Sequence, residues 1–200
     1  MKKVIQTFLL TLFVNITAYA QEVVRIPDLK RQIDSLKVID QQVQQDYIKA
    51  DPKERPTLLK TQSETFIRHA TILKQILAKY GFPTFDKVGK ESSNNYWLCV
   101  QHCDHDLQFQ KDVLKLMKKG IKDKNVNSRN YAYLTDRVNL NSGKPQIYGT
   151  QLTYKDRTAI PRELAKPATV NKRRKSVGLE PIEDYLKMAT DIHRQMNSEK

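Results

Sequence analysis

The densest group of side chains able to do chemistry is Gln101-His102-Cys103-Asp104-His105-Asp106, which follows an apolar segment. A histidine at a helix end beside a pocket is well placed to act as a general base, and a carboxylate can orient its imidazole. The sequence therefore makes His102 the candidate base, with Asp104 or Asp136 as the orienting carboxylate. The alternative is structural: one aspartate caps the next helix, and the histidines lie at an exposed corner.

Metal ligands are a second kind of chemistry open to these residues. Cys99 and Cys103 lie four residues apart, and His102 and His105 lie three apart, spacings that can share a helix face. The sequence has no HExxH and no CxxC motif, and the two pairs face different directions. We therefore predict no metal site and no cofactor. Cysteines one helical turn apart need local distortion to form a disulfide, so the spacing favours free thiols.

Asp136 and Arg137 form a second candidate group, inside a predicted helix. Adjacent helical side chains diverge, so each of the two can reach a different partner. Arg137 can bind a ligand carboxylate or phosphate through its guanidinium group. The alternative is a structural ion pair between Arg137 and another helix.

Residues 143–151 are rich in hydrogen-bonding groups but lack the spacing of a phosphate-binding loop. Regular strand alternation places Tyr148 and Thr150 on one face and Gln151 on the other. A bulge at Gly149 would be needed for all three side chains to converge.

The chain is basic, with 35 Lys and Arg against 22 Asp and Glu and a net charge of +13. The excess is spread evenly, which favours solubility and loose attraction to anionic surfaces. The run Lys172-Arg173-Arg174-Lys175 can contact phosphates, or form a solvated face with one inward arginine. No aromatic residues are interleaved with it, so we predict no nucleic-acid binding.

The first twenty residues have the pattern of a secretory signal peptide. Lys2 and Lys3 precede an apolar stretch, and Ala18-Tyr19-Ala20 resembles a cleavage site. Cleavage near Gln21 would leave a net charge of +11 and an exported protein, periplasmic or extracellular. The apolar stretch is shorter than the ~20 residues that a spanning helix needs, so we predict no membrane span after cleavage.

Apolar residues at spacings of three and four predict a succession of amphipathic helices. They span about 28–50, 56–80, 91–103, 107–120, 128–142, 170–177 and 181–196. Asp28 is the expected cap of the first helix, Gly81 ends the second, and residues 81–90 form a loop. Strand-forming residues between Pro145 and Pro161 predict a β-hairpin.

The predicted fold is mainly α, a helical bundle-like single domain with one small antiparallel β-hairpin. Residues 1–20 are the signal peptide and residues 21–78 an N-terminal helical pair. Residues 79–200 are a core with the hairpin, packed with the pair as one domain.

The order of several short motifs resembles a known family. The motifs are Tyr80-Gly81-Phe82-Pro83, Trp97-Leu98, Val100-Gln101-His102, Ala132 to Arg137, Gly143 to Gln146, Tyr148 to Gln151 and Asn171 to Arg174. Together they resemble the bacterial domain-of-unknown-function family numbered 6624, over about Lys79 to Tyr185, with the first two helices as a more variable addition. The resemblance implies that these polar groups belong together: Gln101, His102, Asp136, Arg137, Tyr148, Gln151 and Arg173 or Arg174.

Two functions fit these observations, and neither predicts an oligomeric state. In the first, His102, Arg137, Tyr148 and Gln151 line a polar pocket for a small polar or anionic ligand. A hydrolase with His102 as general base is one version, and whether the chain is an enzyme stays open. In the second, the protein is a non-enzymatic binding or scaffold protein, and the same groups form a structural network.

Overall fold

The computed structural model describes residues 24–196, so the expected signal peptide lies outside the described residues. The helices are α1 (Pro27–Lys49), α2 (Arg55–Tyr80), α3 (Phe85–Gln101), α4 (Leu107–Lys122), α5 (Ser128–Asn141), α6 (Val170–Ser176) and α7 (Ile182–Met196). Two strands, β1 (Leu152–Lys155) and β2 (Thr158–Pro161), pair as an antiparallel hairpin, and a short 3-10 turn (Pro167–Thr169) precedes α6. The predicted fold class, mainly α with one small hairpin, is confirmed.

The main core lies where α1 to α4 pack together. Each helix contributes an apolar stripe at spacings of three and four, and burial of these stripes drives the packing. The stripes include Leu29, Ile33 and Leu36 of α1, Leu73 and Ile76 of α2, Tyr96 and Val100 of α3, and Val113 and Met117 of α4. Helix α1 packs against both α2 and α3, so one face of α3 is covered by the N-terminal helices.

The hairpin is held by the last helix. The backbone N–H of Ala159 in β2 donates to Thr190 Oγ1 in α7 at 3.0 Å. Gly149, with a φ of +70°, lies directly against Ile182 at the start of α7. Met196 is exposed because it lies in the last turn of α7, beyond the hairpin contact.

The structure identifies the residues at which α1 and α4 begin and end, and some of them differ from those predicted. Helix α1 begins at Pro27, which is favoured in a first turn, so Ile26 and not Asp28 occupies the cap position. Asp106 caps α4, since its carboxylate accepts a hydrogen bond from the Phe109 N–H at 3.0 Å. Gly120 does not end α4, which continues to Lys122; instead it leaves room for Val126 to pack.

The predicted loop 81–90 is wrong in its second half. Helix α3 begins at Phe85 and is interrupted at Gly89, whose φ of 81° and ψ of 163° are not helical. Glycine accepts this conformation without the steric cost of a Cβ, which allows the helix to resume beyond a kink. Within residues 24–196, no helix combines the length and apolar composition that crossing a membrane requires.

The close approach of Gly149 to α7 generates the first prediction. A Cβ at Gly149 would lie 2.6 Å from Ile182 Cδ1, whereas one at Gly143 would meet no atom within 4 Å. Both residues have a φ of +70°, so Gly143→Ala isolates the conformational cost of about 1–2 kcal/mol. Gly149→Ala should lower the free energy of unfolding further, by about 1–3 kcal/mol, through overpacking. Urea denaturation of both variants checks this, and equal losses would contradict it.

Candidate functional site

The polar side chains that the sequence groups together occupy three separate places. Asp136 lies under the loop before the hairpin, Arg137 lies at the α3–α4 corner, and His102 lies between α1, α2 and α3. Each place has its own set of hydrogen-bond partners. A cavity of about 400 Å³ elsewhere, between α2 and α4, is lined by Lys74, Leu77, Ala78, Asp106, Gln108, Phe109, Asp112 and Leu116, and by none of the predicted site residues.

The fully buried Asp136 carboxylate organises residues 147–150. It accepts hydrogen bonds from the N–H groups of Ile147 at 2.6 Å, Tyr148 at 3.0 Å and Thr150 at 2.9 Å. The Thr150 hydroxyl donates to it as well, at 2.9 Å. The backbone there is therefore wrapped around a carboxylate, and the strand predicted from Ile147 begins only at Leu152. Asp136 does not contact His102, so it cannot orient that imidazole.

Gln146 and Gln151 belong to the same loop. The buried Gln146 amide donates to the carbonyls of Gln151 and Arg162, at 3.0 and 2.9 Å, and its oxygen accepts from the Gln151 N–H. The Gln151 amide donates to Thr150 Oγ1 at 3.3 Å. Tyr148 is half-buried, and burial raises the pKa of its hydroxyl. These groups close the loop onto itself.

Arg173 and Arg174 donate hydrogen bonds to backbone carbonyls of the loop and of neighbouring segments. Arg173 donates to the carbonyls of Ile147 and Ala165, at 2.7 and 2.6 Å. Arg174, fully buried, donates to the carbonyls of Tyr148 and Glu180, at 2.8 and 2.6 Å, and lies over the Tyr185 ring. The predicted inward arginine is therefore Arg174. Both guanidinium groups are engaged in fixing α6 against the loop.

Arg137 forms an ion pair, but its partner Asp104 is partly exposed and lies in the turn between α3 and α4, not in another helix. Its Nε lies 2.7 Å from Asp104 Oδ1 and its Nη2 lies 2.5 Å from Asp104 Oδ2, a two-pronged contact. Burial raises the pKa of Asp104, but the hydrogen bonds and charge of Arg137, with further donors, outweigh this and leave the pKa lowered. The carbonyl of Gln101 accepts from Gln110 at this corner.

His102 is paired with Asp40 of α1, a residue that the sequence did not single out. His102 Nδ1 lies 2.8 Å from Asp40 Oδ2, and the aspartate side chain is 1% exposed while the histidine side chain is 16% exposed. Neither Asp104 nor Asp136 takes the orienting role predicted for them. The two partners are 62 residues apart, so no local spacing could have revealed the pair.

The imidazole of His102 is bounded by two further side chains from the N-terminal helices. The Phe66 ring of α2 stacks on it, with centroids 4.9 Å apart and planes 23° from parallel. Gln44 Nε2 of α1 lies 3.1 Å from His102 Nε2 and 3.4 Å from His102 Nδ1, so the amide lies over the face of the ring. A histidine that donates from Nδ1 to a carboxylate presents Nε2 as an acceptor in the plane of the ring.

His69 and Cys99 lie beside the pair. Burial lowers the pKa of His69 and thus favours its neutral form, and nearby Arg68 and His102 act in the same direction against the charge of Asp40. Burial and the charge of Asp40 raise the pKa of the Cys99 thiol. The same two causes raise the pKa of the Cys103 thiol to about 12. Both cysteines are free thiols, which confirms the prediction from their spacing.

The described residues form a mainly helical protein in which a buried aspartate pairs with a partly exposed histidine at the junction of three helices. The sequence model of DUF6624, a family of unknown function, matches residues 27–196. The chain belongs to this family. The match includes α1 and α2, so the family likeness extends beyond the range Lys79 to Tyr185 on which the sequence motifs rest. No curated protein and no solved structure shows a significant match to the chain.

The Asp136 contacts generate the second prediction. Asp136→Asn replaces a carboxylate oxygen with an NH₂ group that faces backbone N–H donors, so buried donors are left unpaired. We expect the free energy of unfolding to fall by about 2–4 kcal/mol. The amides of Ile147, Tyr148 and Thr150 should also exchange faster with solvent deuterium.

The matched control is Asp184→Asn on the exposed face of α7, which should change stability by less than about 0.5 kcal/mol. Unchanged exchange at the three loop amides in Asp136→Asn would show that the carboxylate does not hold the loop.

Proposed function

We propose that the chain is an exported protein that binds a small polar or anionic ligand at His102, held in place by Asp40. The observation that carries this proposal is the 2.8 Å contact from His102 Nδ1 to a buried carboxylate, on an imidazole that keeps a 16% exposed side chain. A buried carboxylate beside a partly exposed histidine is a common way to fix an imidazole for work at its other nitrogen.

His102 Nε2 is the atom that would meet the ligand. With Nδ1–H donating to Asp40, the Nε2 lone pair is free to accept a hydrogen bond from a ligand hydroxyl or water in the plane of the ring. The Gln44 amide, 3.1 and 3.4 Å from the two ring nitrogens, lies over the ring and can move aside by rotation of its long side chain. The stacked Phe66 ring covers one face of the imidazole and leaves its edge as the route of approach.

Hydrolysis is the catalytic form of this proposal. A water at Nε2 would transfer a proton to the imidazole as its oxygen attacks an electrophilic carbon or phosphorus. The imidazolium would then give this proton to the leaving group as the bond between that group and the carbon or phosphorus breaks. Asp40 would stabilise the imidazolium that forms. General-base assistance of this kind contributes about 10²–10⁴ in rate.

A non-enzymatic scaffold is the second candidate, and a different observation favours it. Asp136, Arg173 and Arg174 are engaged with protein groups that join α5 and α6 to the loop, and Arg137 joins α5 to the α3–α4 corner. If the Asp40–His102 pair has the same role, it joins α1 to α3 and has no ligand.

His102→Asn separates the two candidates. An asparagine amide can replace Nδ1–H as the donor to Asp40, which His102→Ala cannot do, but it has no counterpart of Nε2. The ligand-site proposal predicts nearly unchanged stability together with loss of binding, or a fall of about 10²-fold or more in kcat/KM. The assays are thermal shift with phosphate, sulfate and small carboxylates, and hydrolysis of chromogenic esters, phosphoesters and amides.

The control is His105→Asn, at an exposed position three residues beyond the C-cap of α3, which should behave like the unmodified chain. Absence of any bound anion and any hydrolysis in the unmodified chain, or equal function in His102→Asn, would overturn the ligand-site proposal in favour of the scaffold.

Export rests on the basic start, short apolar stretch and Ala18-Tyr19-Ala20 of the sequence. Intact mass of the protein recovered from the periplasm or medium of an expressing bacterium should correspond to a chain beginning near Gln21. A chain that keeps Met1 and stays in the cytoplasm would contradict export.

A further inference from the structure

One group of buried side chains beside His102 is not used by the proposed function. Asp40 of α1, His69 of α2 and Cys99 of α3 each offer one ligand atom, and these atoms lie within 4.8 Å of one another. All three residues are buried, with 0%, 5% and 1% exposure. Three helices therefore bring an oxygen, a nitrogen and a sulfur donor to one point in the interior.

The group contains an unpaired polar atom. His69 Nδ1 is buried and has no hydrogen-bond partner among residues 24–196. Burial of a polar group without a partner is costly, and native proteins rarely leave one without a reason such as an ion. A histidine nitrogen that carries a lone pair and no protein partner is available to bind a metal.

The types of donor indicate which cation would fit. Thiolate, imidazole and carboxylate together are the ligands of Zn²⁺, whereas Mg²⁺ and Ca²⁺ take oxygen ligands. Bonds of about 2.0–2.3 Å in a tetrahedral site separate the ligand atoms by roughly 3.3–3.8 Å. Side-chain movements of about 1 Å would close the group to that size. His102, bonded to Asp40 Oδ2, would orient the carboxylate from outside the ligand set.

We propose that Asp40, His69 and Cys99 bind Zn²⁺, with a fourth position for water. Binding replaces the Cys99 S–H bond with a thiolate–zinc bond and releases that proton to solvent. The site shares Asp40 with the proposed ligand site but depends on His69 and Cys99, which that proposal does not use.

Titration of the purified, chelator-treated chain with Co²⁺ tests the site, because a cobalt–thiolate bond gives a charge-transfer absorption band. The unmodified chain should show this band at one equivalent, and Zn²⁺ should abolish it. Cys99→Ser should remove the band, and Cys99→Ser and His69→Ala should each weaken Zn²⁺ binding at least tenfold.

Cys103→Ser is the matched control, because Cys103 is another buried thiol in the same segment, four residues further on, and is outside the group. Cys103→Ser should keep the band. His102→Asn should keep it too, so that loss of the ligand site and loss of the zinc site can be distinguished. Circular dichroism verifies that each variant is folded. Absence of the band in the unmodified chain, its persistence in Cys99→Ser, or its loss in a folded Cys103→Ser would overturn the proposal.

Discussion

The buried carboxylate of Asp40 is the constraint on which the N-terminal half of the molecule depends. A charge in the interior costs several kcal/mol unless it is hydrogen-bonded, and His102 supplies the bond across the α1–α3 interface. A second carboxylate two turns earlier, Asp34, accepts from Ser92 and Asn95 of α3, at 2.6 and 2.9 Å. These polar contacts specify the position of α1 along α3 in a way that the apolar stripes alone do not.

The C-terminal half also buries charged side chains, but it pairs them mainly with backbone groups. There a buried carboxylate, Asp136, accepts backbone N–H groups, and the nearby arginines Arg173 and Arg174 donate to backbone carbonyls. An irregular loop can be buried only if its backbone polar groups find partners, and these three side chains supply them. The polar side chains between residues 136 and 174 therefore account for the loop's conformation. The group around His102 differs, because the His102 imidazole remains partly exposed.

Local patterns predicted the helices and the hairpin because helical periodicity and strand-forming residues are properties of short segments. They failed at Gly89, where a glycine permits a kink within a helix, and at residues 147–150, where Asp136 overrides strand propensity. His102 was singled out by its chemistry, but Asp40, Gln44 and His69 were not. These residues lie on two amphipathic helices whose polar faces gave no indication of which positions turn inward, and only tertiary packing selects them.

The account's central claim is that Asp40 fixes His102 with its proton on Nδ1 and its lone pair on Nε2. Long-range ¹H–¹⁵N correlation spectra of the histidine side chains measure this tautomer directly. We expect the neutral His102 imidazole to carry its proton on Nδ1 in the unmodified chain, and Asp40→Ala to abolish that preference in a chain that remains folded. A neutral His102 protonated at Nε2, or a tautomer unchanged by Asp40→Ala, would contradict the account.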